Sequence, residues 1–168
     1  MPKLEPINWK ELDAFARNLG KLGDEAEKIC KMALYDGAAV AADALRKSVD
    51  GLSRVPDVEG INAARKGVPT ILTVSQKNGL RNGLGISTMK IKGRIISVKV
   101  GFDGYNSVKT KRWPNGQPNV MIAASCEHGS SAMLEQPFIA PTFRANSAQM
   151  QRAMVKTATN QISKILDK

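Results

Sequence analysis

The sequence predicts an α+β fold in which a small antiparallel sheet with a central hairpin packs against two long helices joined by long loops. Apolar residues recur with a helical period over residues 24–47 and again over 141–168, which predicts the two helices. Residues 85–102 alternate apolar and polar side chains on both sides of Lys92-Gly93, which predicts the hairpin. An amphipathic sheet needs cover on its apolar face, and the helices can supply it.

The length of the chain fits one domain, residues 1–168. Aromatic residues make up only 5% of it, so we expect a core of aliphatic side chains. No apolar run approaches the roughly 18 residues that span a bilayer, and no secretory leader begins the chain. We therefore expect a product made in the cytoplasm without membrane contact. Cys30 and Cys126 lack a CxxC arrangement and are expected to be reduced apolar fillers.

The charge balance is strongly basic, with 25 Lys and Arg against 15 Asp and Glu and a net charge of +10. Such a balance favours acidic partners, either nucleic acid or negatively charged protein surfaces. The alternative is that the charge serves only solubility.

An N-terminal helical arm is expected over residues 1–22, with the helix WKELDAFARNL starting near Asn8 and ending at Gly20. Asp24 then acts as the N-cap of the first long helix. Glu27 follows three residues later, as in a capping box.

The first long helix carries an apolar face rich in small residues. Gly37 lies within it and costs about 1 kcal/mol relative to Ala, which predicts a close approach by another element. The face is either ordinary internal packing or a contact between subunits. Its members are Ala26, Ile29, Cys30, Ala33, Leu34, Gly37, Val40, Ala41, Ala44 and Leu45.

Two stretches are predicted to be long loops, residues 50–72 and 103–119. The first has three Gly, two Pro and no sustained period up to Thr70, and is predicted to be an extended connection or flap. The segment SQKNGLRNGL that follows predicts one more helical turn.

The hairpin register follows from a two-residue turn at Lys92-Gly93. A slip of one residue would turn lysines inward, so the register is specific. The predicted pairs are Ile91 with Arg94, Met89 with Ile96, Ser87 with Val98 and Gly85 with Val100. One face then collects Ile91, Met89, Ile96, Val98, Val100 and Phe102, and the other carries Lys90, Thr88, Ser97 and Lys99.

The second long loop carries the candidate partner contacts. Cations attract phosphates, while Trp and Tyr stack on bases or fill pockets in proteins. The alternative is a solvated loop whose Trp folds back on the body. The candidates are Lys109, Lys111, Arg112, Trp113 and Tyr105.

The C-terminal part begins with NVMIAASCEHG, which fits either a strand or a helix. A flexible Gly-Ser-Ser turn and a stiff segment from Pro137 to Pro141 then set how the last helix leaves the body. Pro141 suits the first turn of that helix. The turn and helix-start motif comprises Glu127, Gly129, Pro137, Phe138 and Pro141. The helix stripe comprises Phe143, Met150, Met154, Ala158, Ile162 and Leu166, with Ala153, Thr157 and Ile165 beside it.

No constellation in the sequence points to catalysis, a cofactor or a metal. His128 is the only histidine, which excludes His-pair ligation and two-His acid/base schemes. Cys126 lacks an orienting third group, and a turn-stabilising role suits Glu127 better than a catalytic one. The glycines of GLRNGLG lack the Lys-Ser/Thr of a phosphate-binding loop. We therefore expect a protein that is not an enzyme.

Several short motifs in one order nevertheless resemble a known family. The chain is similar to the lambdoid gene-product-ten-like family of tailed phages, which are minor tail and tail-completion proteins of head-to-tail joining. The matching positions are Leu80-Arg81, Val100-Gly101, Glu127, Gly129-Ser130, Pro137-Phe138-Ile139 and Pro141-Thr142. The chain departs from the pattern in the N-terminal helix and in residues 103–119.

This resemblance implies a structural virion protein of the neck or tail end, made in the host cytoplasm and acting without catalysis. It implies a homo-oligomeric ring, expected to be a hexamer, between connector or neck proteins and tail-tube or tail-terminator proteins. Contact with genomic DNA in the lumen of the ring is also expected. The alternative from another class is a basic nucleic-acid-binding module that uses residues 109–113.

Overall fold

A computed structural model describes residues 9–93 and 95–167 of the chain. The fold is α+β, as predicted, with two long helices packed side by side and short strands. In chain order the elements are α1 (Trp9–Gly51), β1 (Arg54–Val55), α2 (Asp57–Arg65), β2 (Leu72–Thr73), α3 (Val74–Gly83), β3 (Leu84–Ile86), β4 (Lys90–Lys92), β5 (Ile95–Ser97), β6 (Val100–Phe102), α4 (Asn119–His128) and α5 (Ile139–Leu166).

Helix α1 is continuous, so the predicted helix end at Gly20 and the predicted N-cap at Asp24 are wrong. Glu27 forms an ion pair with Lys31 one turn later on the same helix instead of closing a capping box. Residues 21–32 of α1 and 161–165 of α5 border one surface depression. Packing along α5 therefore outweighs the cost of the helical glycines Gly20 and Gly23. The expected helix start at Asn8 lies outside the described residues.

Helices α1 and α5 run antiparallel, because residues 40–47 lie beside the start of α5 and residues 21–32 lie beside its end. A Cβ atom on Gly37 would lie 2.7 Å from Cγ of Met154. The close approach that Gly37 predicts is thus made by α5, and this part of the small-residue face packs internally. The predicted stripe of α5 is partly buried except for Leu166, which is 40% exposed.

The core lies where the C-terminal half of α1 meets α3 and α4. Its most deeply buried side chains are Leu45, Val49, Leu72, Leu80 and Cys126. Cys126 is therefore the apolar filler that the sequence predicts. The same prediction is wrong for Cys30, which is exposed on α1.

The hairpin has a different register from the predicted one. Strands β4 and β5 pair Lys90 with Ser97 and Ile91 with Ile96, whereas β3 and β6 pair Leu84 with Phe102, Gly85 with Gly101 and Ile86 with Val100. Residues 87–89 oppose only residues 98–99, so one extra residue bulges between the two halves. The backbone N–H of Lys99 donates to Oγ of Ser87 at 3.0 Å within this bulge.

The slip between predicted and observed pairs is two residues at the tip, which keeps Ile91 and Ile96 on one face. The expectation that Ile91 is covered is wrong, because it is 48% exposed. Ile95 beside the turn is 69% exposed. The predicted pairing of Ile91 with Arg94 is wrong, because Ile91 pairs with Ile96.

The prediction of a long loop over residues 50–72 is wrong, because this stretch contains β1, α2 and β2. Strands β1 and β2 pair in parallel. Helix α3 is ten residues long and begins with a capping box between Thr73 and Gln76. Helix α4 resolves the choice between strand and helix for NVMIAASCEH.

Candidate functional site

A groove of about 880 Å³ lies between α2 and residues 107–111, and we call it the α2–loop groove. Ile61, Ala64 and Arg65 of α2 form one wall. Val108, Lys109 and Lys111 belong to the opposite wall, and the remaining lining includes Met121, Ile122 and Met133. The groove combines apolar side chains with basic residues.

Three cations line the α2–loop groove: Arg65, Lys109 and Lys111. Asp57 is the acidic residue of the lining, and its carboxylate accepts hydrogen bonds from Oγ of Ser75 at 2.6 Å and from the Ser75 N–H at 3.0 Å. These hydrogen bonds, opposed by partial burial, lower the pKa of Asp57. Lys28, Lys31, Arg46 and Arg81 form ion pairs elsewhere in the described part of the chain, and none of these four pairs includes a groove cation. The groove cations therefore form no ion pair in this part of the chain.

Hydrogen bonds and close packing hold both walls of the groove. On the α2 side, Asp57 is bound to Ser75 of α3, and a Cβ on Gly60 would lie 2.3 Å from Cγ2 of Thr73. On the loop side, the backbone N–H of Val108 donates to Oδ1 of Asn106 at 2.9 Å, and Nε2 of Gln76 donates to Oε1 of Gln117, a further lining residue, at 2.8 Å. The groove therefore exists before any partner binds.

The structure divides the five sequence candidates among three locations. Lys109 and Lys111 line the groove, while the guanidinium of Arg112 lies 5.5 Å from the centroid of the Trp113 ring at the loop turn. Tyr105 is 65% exposed and pairs with Pro118 across the base of the loop, away from the groove lining.

Glu127 is buried at the end of α4, where its carboxylate caps the start of α5. Oε2 accepts from the backbone N–H groups of Phe138 and Ile139, each at 2.7 Å, and Oε1 accepts from Ala140 at 2.9 Å. Burial raises the pKa of Glu127, but the three backbone donors and neighbouring His128 outweigh it and hold the pKa below its ordinary value. One side chain thus satisfies three of the orphan N–H groups at this helix start.

The other residues of the turn motif shape the return from α4 to α5. Gly129 has a φ of 70°, which a residue with a side chain rarely adopts. Phe138 is 2% exposed, and its ring lies 5.8 Å from that of Phe102. Pro137 is exposed just before α5, and Pro141 lies in its first turn, where no intrahelical N–H bond is lost.

Lys77 caps the C-terminal end of α1, as Glu127 caps the start of α5. Its Nζ donates to the carbonyl oxygens of Asp50 and Leu52, each at 2.7 Å, and the side chain is buried. The cation thus meets the negative end of the helix dipole. Burial is the main reason that the pKa of Lys77 is lowered.

Cys126 does not form a reactive site with His128. Burial and the charge of Glu127 raise the pKa of the thiol to about 11, and Sγ lies 3.5 Å from the carbonyl oxygen of Gln136. His128 is exposed at the end of α4. A thiol with this pKa stays protonated at neutral pH and is a poor nucleophile.

Among the residues that the structure describes, no three His, Cys, Asp or Glu side chains converge as a metal site would require. No helix in this part of the chain is both long and apolar enough to cross a membrane.

The sequence did not reveal Ile61, Ala64 and Arg65 as site residues, because they lie on α2, within a predicted loop. The available signal was a helix start at Pro56 followed by Asp57 and a stop at Gly67, whose φ is 65°. Lys77 was missed because its two acceptors are backbone carbonyls more than twenty residues away.

Comparison with known protein families relates most of the α1-to-β6 part of the chain to a phage protein family. Residues 13–104, more than half of the chain, match the family described as "Bacteriophage HK97-gp10, putative tail-component". This part runs from α1 past the end of β6, so the candidate partner contacts at residues 105–113 and helices α4 and α5 lie beyond it. No curated protein and no solved structure matches the chain. The chain therefore belongs to the HK97-gp10-like family of bacteriophage tail components.

Proposed function

We propose that the chain is a structural protein of the phage neck that completes the tail and joins it to the head. The observation that carries this proposal is the family match over residues 13–104, which makes the chain a tail component. The finer placement draws on the turn motif from Glu127 to Pro141, which lies beyond the matched part and resembles tail-completion proteins.

In this proposal, the subunit assembles into a ring, with a hexamer as the expected form. Large aliphatic side chains are exposed at separate places, including Ile91 and Ile95 on the hairpin and Val155 on α5. Different patches on one subunit suit head-to-tail contacts, which close into a ring when the rotation between copies permits. In this proposal, the shape and charge of the subunit surfaces determine how the protein binds its neighbours.

The proposed neighbours are a connector or neck protein on one side and a tail-tube or tail-terminator protein on the other. Acidic surfaces of these proteins would be attracted by the net charge of +10. Genomic DNA passing through the lumen would meet the same positive field.

Deleting the gene from the phage that encodes the chain tests the proposal. We expect filled heads and separate tails in electron micrographs, and we expect complementation with the wild-type chain to restore joined particles. Density for the chain should form a ring in the neck of those particles. Normal infectious virions from the deletion phage would refute the proposed function.

A nucleic-acid-binding module is the second candidate, favoured by the exposed cluster of Lys109, Lys111 and Arg112. Arg112 stacks over Trp113, so a base could use that ring face only by displacing the guanidinium. Titration with duplex DNA at several salt concentrations separates the candidates. Tight binding by a monomer with a steep salt dependence would favour this second function.

A further inference from the structure

We propose that the α2–loop groove binds a segment of another virion protein that carries both acidic and aliphatic side chains. This inference deepens the proposed function and rests on it. It names the surface by which the chain holds a neighbour and the chemistry of the segment held there.

The apolar part of the lining explains the aliphatic requirement. Met121 is only partly buried and can adapt its shape to a bound side chain, and Ile61, 47% exposed, offers apolar surface that a partner would cover. A volume of about 880 Å³ is within the range of sites that enclose a ligand with several side-chain-sized groups. Burial of this apolar surface by aliphatic side chains of the partner would contribute to the affinity.

The cations explain the acidic requirement. Arg65, Lys109 and Lys111 line the groove without an ion pair in the described part of the chain, while Asp57 is already hydrogen-bonded to Ser75. Carboxylates on the partner would neutralise these charges and fix the register of the bound segment. Since hydrogen bonds hold the walls, little ordering entropy opposes binding.

The charge and the apolar lining of the groove argue against two other occupants. The exposed isoleucines of the hairpin are flanked by Lys90 and Lys92, so the hairpin of a second copy would place cations against cations. Nucleic acid is held largely by contacts to phosphate, and the methionines and Ile61 offer none. An acidic and aliphatic protein segment satisfies both parts of the lining.

Site-specific photocrosslinking in assembled virions tests the inference. A benzophenone amino acid replaces Ile61 in the groove, and a matched variant carries it at Val155, which is exposed on α5 outside the groove lining. We expect Ile61 to crosslink to a segment of a different virion protein that contains Asp or Glu beside aliphatic residues. Val155 should not crosslink to that segment.

Charge reversal provides the second arm of the test. The variant K109E/K111E should reduce the Ile61 crosslink at least tenfold, whereas R152E/K156E, with the same change in net charge on exposed α5 positions, should retain it. Thermal unfolding of both variants at the temperature of the wild type, measured by circular dichroism, establishes that the fold is intact.

Several outcomes would overturn the inference. They are an Ile61 crosslink to a second copy of the chain, to DNA or to a basic segment, no crosslink in virions that contain the chain, and an equal effect of both charge reversals. If the chain is missing from the virions, the proposed function itself fails. The two levels of failure are therefore distinguishable.

Discussion

The Glu127 carboxylate decides how α5 begins, because it accepts three consecutive backbone N–H groups across eleven to thirteen residues of sequence. The rigid Pro137–Pro141 segment limits the directions that the chain can take, and the carboxylate selects one of them. The C-terminal helix is thereby tied to the end of α4 and to the core around Phe138.

Replacing this residue tests the cap. Glu127→Ala leaves three N–H donors without their acceptor, and we expect a loss of about 2 to 3 kcal/mol in the free energy of unfolding. Glu127→Gln keeps one side-chain carbonyl acceptor and should cost less, about 1 kcal/mol. Urea unfolding followed by circular dichroism measures both, and equal stability of Glu127→Ala and wild type would contradict the cap.

The same cap should make stability depend on pH. The pKa of Glu127 is held below its ordinary value of 4.5 in the folded protein, so the ionised cap contributes its full stability above that value. The contribution falls as the pH drops through the folded pKa. We expect the difference in unfolding free energy between wild type and Glu127→Gln to shrink below pH ~4.5. Asp57 titrates in both proteins and cancels in this difference, and a difference independent of pH would contradict the prediction.

Lys77 offers a test at the end of α1. Lys77→Met keeps most of the buried stem but removes the donor to the Asp50 and Leu52 carbonyls, with an expected loss of about 1 to 3 kcal/mol. Lys47→Met changes the same charge at an exposed position of α1 and should shift stability by less than about 0.5 kcal/mol. Thermal or urea unfolding compares them, and equal effects of the two substitutions would show that the cap is unimportant.

At the scale of elements, long periodic segments were predictable and short ones were not. The apolar period identified the long helices, because it persists over many turns and tertiary packing reinforces it. Helix α2 has nine residues, includes Gly60 and follows Pro56, so its period is too short to stand out. The prediction that a helix ends at Gly20 was wrong because α5 packs along the adjoining residues of α1.

The hairpin and the site show a second limit of sequence information. At the tip of the hairpin, a slip of two residues leaves the side chains on their original faces, so alternation alone could not fix the pairing there. Between the two halves, the bulge at 87–89 has no distinct composition. Lys109 and Lys111, which were proposed from the sequence as partner contacts, line one wall of the groove. The sequence could not identify the α2 wall of the groove, since contacts with Thr73 of β2 and Ser75 of α3 place that helix.

The contact between α1 and α5 can be tested with a double-mutant cycle at Gly37 and Met154. Ala is favoured over Gly in a helix by about 1 kcal/mol, yet its Cβ at position 37 would crowd Met154. We expect Gly37→Ala to be neutral or destabilising in the wild type and to stabilise the Met154→Ala protein by about 1 kcal/mol. Urea unfolding gives the four free energies.

Gly23→Ala is the matched control, because a Cβ there has no neighbour within 4 Å. It should stabilise by about 1 kcal/mol in both backgrounds. An effect of Gly37→Ala that does not depend on Met154 would contradict the proposed close contact.

At the scale of the whole molecule, stability is distributed unevenly along the two long helices. The C-terminal half of α1 contributes Leu45 and Val49 to the core with α3 and α4, whereas α5 has no fully buried side chain. Toward the N-terminus of α1, Ile29 and Ala33 are buried beside α5, and the α5 residues there remain partly exposed. The packing of residues 21–32 of α1 therefore depends on a single, partly exposed interface with the C-terminal part of α5.

Hydrogen exchange should reveal this distribution. We expect amides of residues 41–49 and of α3 and α4 to open only with global unfolding, and those of residues 21–32 and 157–165 to exchange at least tenfold faster through local separation of the helix pair.

A chain ending at Ala153 should lose helical circular dichroism from α1 as well as from the deleted part, because Met154 and the residues beyond it cover α1. Uniform protection along α1, or a loss limited to the deleted residues, would mean that α1 holds its helix without α5. In a ring, neighbouring subunits would cover the same region, so exchange there should slow on assembly while exchange in the core stays unchanged.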